Sequence, residues 1–215
     1  FRAMTRPRDA EIEAKETGRV EAFSDGVFAI AITLLILDLH VPRHDELHQD
    51  LLRDLLRLWP SLVAYLLSFT IILVMWVNHH RIFTVVRRTD QPFLFWNGLL
   101  LMFVTVVPFP TALLAEYMGY GSFDQFRIAA IVYSGHGFLI ALAFNGVWRH
   151  AVRRGRLLTR GHMEAEVKRM SDQYRWGPLS YFIAFALAFV SPWTSVGICM
   201  ALAGYFSIQG FAGRG

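Results

Sequence analysis

Residues 19–39, RVEAFSDGVFAIAITLLILDL, form a run of apolar side chains that opens on Phe-Ser-Asp-Gly and carries a single threonine, Thr33, in its middle. An α-helix needs about 20 mostly apolar residues to cross the hydrocarbon core of a bilayer, and this segment supplies them. A chain built around it is confined to a membrane. Asp25 sits at the edge of hydrocarbon depth, where an ionised carboxylate costs about 2.5–3.5 kcal/mol on insertion scales and needs a partner from the rest of the chain.

The remaining sequence is of the same kind. Apolar residues make up 54% of the 215, 18 of them Phe, and the mean hydropathy is +0.38, too apolar for a soluble domain of this size. Six segments read as transmembrane helices, at about 20–39, 58–78, 93–115, 128–148, 178–191 and 194–210. The expected fold class is therefore an all-α integral membrane protein: an N-terminal cytoplasmic segment, 1–18, and a single six-helix domain, 19–215. The last two helices are short. Pro192 lies between them and cannot continue a helix without losing a backbone bond, so 191–194 reads as a hairpin turn; one long segment is the competing count.

Lysine and arginine give the orientation, because cytoplasmic loops near helix ends carry the excess. Of the 21 basic residues, only Arg43, Arg53, Arg57 and Arg127 fall outside the N-terminal segment, the second loop, the 149–175 region and the C-terminus. Both termini are then cytoplasmic and the number of crossings is even. The same bias accounts for the pI near 9.5. Nucleic acid is excluded as a partner, since the charges follow topology and form no basic stripe interleaved with aromatics.

No cleavable signal is expected, because the apolar run starts some twenty residues in and no small-x-small site precedes Asp38 and His40. Phe1, Arg2 and Ala3, ahead of Met4, read as a cloning remnant. A single cysteine, Cys199, rules out an internal disulfide. The long polar stretch 149–177 carries Met163, Val167, Met170 and Tyr174 at helical spacing, the pattern of an interfacial helix.

On a helical wheel Phe23, Gly26, Ile30, Thr33 and Leu37 fall within about 40° of one line, and Asp25 lies on nearly the opposite side. One face is a narrow apolar stripe broken by a hydroxyl; the other turns a carboxylate into the protein. A plainer reading gives Thr33 a bond back to the Ala29 carbonyl and sets the stripe against lipid or another helix. Partners for Asp25 stand at the same membrane depth. The second helix ends in WVNHHRIF with Trp76, Asn78, His79 and His80, Asn97 begins the third, and Arg19 can offer a carboxylate a forked pair of donors. This cluster reads either as a satisfied polar knot that fixes packing or as a proton relay through Asp25, His79 and His80.

These residues carry a resemblance. Arg-x-x-x-Phe-Ser-Asp at 19–25 followed by GVFAIAITLLILDL, Trp-x-x-His at 76–79 and FWNGLLLMFVTVVPFPTALLAEY at 95–117 are similar to the transmembrane protein 175 family of potassium channels. The likeness covers about the first 120 residues; beyond them, only helix number and hydropathy agree. It implies a six-helix unit whose first helix lines a central pore. Animal relatives carry two units per chain, so one unit here implies a homotetramer, as expected for a multi-pass protein of a bacterial plasma membrane. It further implies a hydrophobic constriction at Ile30, a filter threonine at Thr33 and another apolar ring at Leu37, with Arg19, Phe23, Ser24, Asp25, Trp76 and His79 as a packing and hydrogen-bond network behind the pore.

Potassium, passing near Ile30 and Thr33, is then the permeant ion. No cofactor and no protein partner beyond the subunits and the bilayer are implied. A ring of isoleucines can dewet and block, while hydroxyls one turn away can replace part of an ion's water shell. No Thr-Val-Gly-Tyr-Gly filter loop occurs, so selectivity for potassium over sodium should be modest. Two other classes compete. A proton-permeable channel or proton-coupled transporter would use Asp25 with His79 and His80, yet these sit near one membrane surface rather than at a midplane site. An enzyme would need a convergent nucleophile and base, or metal ligands, and adjacent His79 and His80 point about 100° apart.

Overall fold

The computed structural model describes residues 7–41, 51–153 and 164–212. Among these the chain is built of α-helices: α1 (Pro7–Leu34), which runs into a 3-10 turn at Leu35–Asp38, then α2 (Leu51–Arg57), α3 (Trp59–Val85), α4 (Gln91–Val106), α5 (Pro108–Tyr120), α6 (Phe123–Arg153), α7 (Glu164–Ala188) and α8 (Pro192–Ala212). Among the described residues, four stretches are long and apolar enough to cross a membrane: Lys15–Asp38, Trp59–Val85, Gln91–Tyr120 and Phe123–Arg153. The apolar run of α8, Pro192–Ile208, is shorter.

Proline places the breaks. Pro108 and Pro110 lack the N–H groups that the Val104 and Val106 carbonyls would receive, so α4 and α5 meet at Val107, whose own dihedrals stay helical. The predicted helix at 93–115 is thus a jointed rod. At the joint the Val107 N–H turns to the Val104 carbonyl, releasing the carbonyl of Phe103, and His136 Nε2 of α6 donates to it at 2.9 Å.

Proline acts differently in α7. An interfacial helix separate from the membrane segment at 178–191 is expected from sequence, but α7 is continuous through Pro178. The ring removes the N–H that would serve the Tyr174 carbonyl, and the Asn145 side chain, again from α6, donates there instead at 2.7 Å. Met170 and Tyr174 are buried in the core rather than lying on a surface, with Trp148 Nε1 donating to Ser171 Oγ at 3.0 Å. Met163 lies outside the described residues. The α7–α8 hairpin also differs from the expected turn. Ser191 caps the following helix through the Thr194 N–H, and Pro192 is its first residue, where a missing N–H costs nothing.

The ends of the helices sort into two groups. At one end, Thr17 Oγ1 of α1 donates to the carbonyl of Arg87 after α3, and His150 near the end of α6 meets Asp90, the cap of α4, at 2.7 Å. At the other, Trp59 of α3 stacks on Trp193 of α8, and Phe126 of α6 meets the same indole edge-on. The helices therefore alternate in direction, and the start of α1 lies where α3 ends. One apolar core joins α1, α3, α4, α6 and the first half of α7 around Phe28, Ile82, Phe93, Val147 and Met170; a second joins α3, α5, α6, α7 and α8 around Leu114, Phe126 and Ala184.

Candidate pore-lining helix

Helix α1 packs on α3 and α4 with one face and leaves the other bare. The packed face is set by residues seven, four or three apart, Thr17, Ser24, Phe28, Ala31 and Leu35, all buried. Its polar atoms find partners across the interface. Ser24 Oγ donates to the Val20 carbonyl at 2.8 Å and accepts the Asn97 amide at 3.0 Å, while Asn97 Oδ1 accepts from His79 Nε2 at 2.8 Å. This order of donors puts the imidazole proton on Nε2. His79 is fully buried between the rings of Phe28 and Phe83, at 5.2 and 4.7 Å, and its Nδ1 has no partner among the described residues.

Asp25 is half-buried at the edge of this face, and the Trp76 indole N–H donates to its Oδ1 at 2.9 Å. An indole donates but does not titrate, so it holds the carboxylate without taking its proton. His80 belongs to a separate contact, Nδ1 to Glu21 Oε1 at 2.9 Å, nearer the start of α1. Ser24, Asp25, Trp76 and His79 are therefore brought together. Arg19 and Phe23 are not: both are exposed, Phe23 to 68%. The reason is angular, because Phe23 lies seven residues before Ile30 and Arg19 seven before Gly26, which puts both on the bare face and turns them from α3.

That bare face runs Arg19, Phe23, Gly26, Ile30, Thr33, Leu37, an alternation of four and three residues, and every member is exposed, Ile30 to 60% and Leu37 to 66%. Four-three spacing is the seam along which helices meet about a common axis. Thr33 Oγ1 donates to the Ile30 carbonyl at 2.9 Å, three residues back rather than the expected four to Ala29. With its proton used there, the exposed oxygen presents lone pairs outward. Leu37 falls in the 3-10 turn, a tightening that periodicity alone does not reveal.

The side chains of α6 that serve the carbonyls freed near the prolines, His136 and Asn145, belong to no motif; alone in its helix, His136 reads from sequence as a packing residue. Their signal is present but indirect: a polar residue in an apolar helix opposite a proline-broken neighbour.

Comparison with known proteins bears on this geometry. Residues 19–108 match the family described as the endosomal/lysosomal potassium channel TMEM175. Over 198 residues the chain is 56% identical to a potassium channel of Chamaesiphon minutus, covering 92% of this chain and 96% of that one. Identity to a potassium channel of Streptomyces collinus is 46% over 177 residues, 82% and 84% of the two chains. The crystal structure of a lysosomal potassium-selective channel TMEM175 homolog from Chamaesiphon minutus matches with a TM-score of 0.82 at 55% identity, over 91% of this chain and 98% of that one. Fold and likeness together define an α-helical membrane protein of a channel class rather than an enzyme. The chain belongs to the TMEM175 family.

Proposed function

We propose that four copies of this chain surround a central pore and conduct potassium, with the bare stripe of α1 from each facing the axis. The observation that carries this reading is the division of α1 itself. Polar atoms on its inner face are paired within the subunit, and a continuous four-three seam on its outer face is covered by no described residue. Six crossings with both termini cytoplasmic follow if α7 and α8 also span. The alternation of helix ends supports this, since the described basic residues of the N-terminal segment, the α3–α4 connection and the start of α7 gather at one end. A bacterial plasma membrane is the expected setting.

Along the axis, Ile30 and Thr33 are separated by about 4.5 Å, three residues of helix rise. Four Ile30 side chains form an apolar constriction that excludes water when narrow, and opening means widening it. Four Thr33 oxygens, their protons held by the Ile30 carbonyls, offer acceptors to a partly dehydrated cation just beyond, and Leu37 adds an apolar ring after them. Hydroxyls discriminate less sharply than a cage of backbone carbonyls, so preference for potassium over sodium is modest. Single-channel recording of the purified protein in a planar bilayer tests both parts. Unitary steps with a potassium-to-sodium permeability ratio well under about a hundredfold are expected. Saturating flux at fixed stoichiometry without steps would indicate a transporter instead.

A further inference from the structure

On the side of α3 away from α1, the bundle is incompletely filled. Between α3, α5, α6, α7 and α8 lies a cavity of about 100 Å³. Its walls are apolar, with Met75, Ile140 and Phe206 among them, and the small side chains of Ala141 and Ala203 leave the middle open. Pro178 forms part of the wall, and the joint in α7 that Asn145 repairs is next to the space. The cavity is only partly enclosed, so a small molecule can enter it from outside and gain contact with these walls. An apolar cavity of about 150 Å³ stays dry and takes benzene or xenon. A cavity slightly smaller than that suits one ring or a short alkyl chain.

Several polar side chains stand in the wall; Asn78, Tyr133, His136 and Tyr174 are hydrogen-bonded within the protein, and two others, Asn145 and Tyr181, keep bonding capacity to spare. Asn145, 7% exposed, donates its amide to the Tyr174 carbonyl, but its Oδ1 accepts no bond from a described residue. Tyr181 lies across Gly137, where a Cβ would approach its ring to 3.2 Å, and its hydroxyl is bonded to no described residue. Tyr181 is half-buried, and its hydroxyl is left free to donate to or accept from a molecule in this space. A water at either group would leave most of the apolar volume empty.

We propose that this cavity binds a small neutral amphiphile, a single ring or short alkyl chain carrying one hydroxyl, with the apolar part against Met75, Ile140 and Phe206 and the hydroxyl on Tyr181. Met75 and Asn78 of the wall alternate along α3 with Trp76 and His79, which hold α1. A ligand here therefore bears on the stretch of α3 that positions the stripe of α1.

The test reads binding, so it stands apart from conduction. The purified protein is titrated with phenol and with benzene while its thermal unfolding midpoint is followed, and crystals soaked in 4-bromophenol are searched for the bromine by anomalous scattering. Phenol should raise the midpoint at a concentration about tenfold lower than benzene, the factor expected of one hydrogen bond, and the bromine should lie in the cavity. Tyr181→Phe keeps the ring over Gly137 and should erase the advantage of phenol over benzene. Ala141→Leu fills the space and should abolish both shifts; where that variant does not fold, Tyr181→Phe decides. Bromine elsewhere only, equal shifts in the protein and in Tyr181→Phe, or acyl-chain density that phenol does not displace would overturn the proposal.

Discussion

On the side of α1 that meets α3 and α4, Ser24 and Asp25 are each held by a named donor, whereas on the opposite side Thr33 turns its proton back on its own helix and presents only oxygen. The first arrangement is complete within one subunit. The second makes sense only with a partner outside it, whether an ion, water or other copies of the same helix. Side chains of the first kind should therefore govern whether the protein assembles, and those of the second should govern what passes through it.

The largest effect is expected at the centre of the packed face. His79→Ala removes a fully buried ring between Phe28 and Phe83 and leaves Asn97 Oδ1 without its donor. A loss of about 2–5 kcal/mol follows, read as a collapse in the yield of folded oligomer on size exclusion. Asp25→Ala strands only the Trp76 indole and should cost about 1–3 kcal/mol, with lower yield and unchanged selectivity in whatever assembles. Good assembly of that variant with an altered proton current would assign Asp25 to a relay and blur the contrast between the two faces.

Substitutions on the bare face should spare assembly. Ile30→Ala shortens the side chain at the proposed constriction and should raise unitary potassium conductance without changing elution volume. An unchanged conductance would move the constriction elsewhere on the stripe. The smallest effect is expected for Thr33→Ala, which in the proposed tetramer would delete the four acceptors of a modestly discriminating ring. The potassium-to-sodium permeability ratio should fall toward unity, while Thr33→Ser, which keeps the hydroxyl, should retain it. Reversal potentials under potassium and sodium gradients measure both.

Much of this division is legible in the sequence because it depends on one helix and its period. Ile30, Thr33 and Leu37 share a line at 100° per residue, and Asp25 with Trp76 needs only the topological rule that α1 begins where α3 ends. The assignments that shift depend on angles or registers the period leaves open. Phe23 is an exception, since the period already sets it in line with Ile30 and only the motif places it beside Ser24 behind the pore; it is exposed. Thr33 reaches Ile30 rather than Ala29, a choice between neighbouring carbonyls made by the side-chain rotamer. The continuity of α7 through Pro178 and the jointed rod at Val107 depend on Asn145 and His136, which lie 29 and 33 positions from the Tyr174 and Phe103 carbonyls they serve. Proline announces a broken bond in the sequence; which distant side chain replaces it is decided only by packing.

The central claim is that the uncovered face of α1, and not the packed one, meets the ion pathway. Substituted-cysteine accessibility tests it most directly, with Cys199, the one native cysteine, replaced by Ser in the background. Cysteines introduced singly by Ile30→Cys, Thr33→Cys and Leu37→Cys should let a water-soluble thiol reagent block the potassium current, and Leu37→Cys should cross-link subunits on oxidation. Phe28→Cys, Ala31→Cys and Leu35→Cys should leave the current untouched. Block at the second set with none at the first would contradict the account.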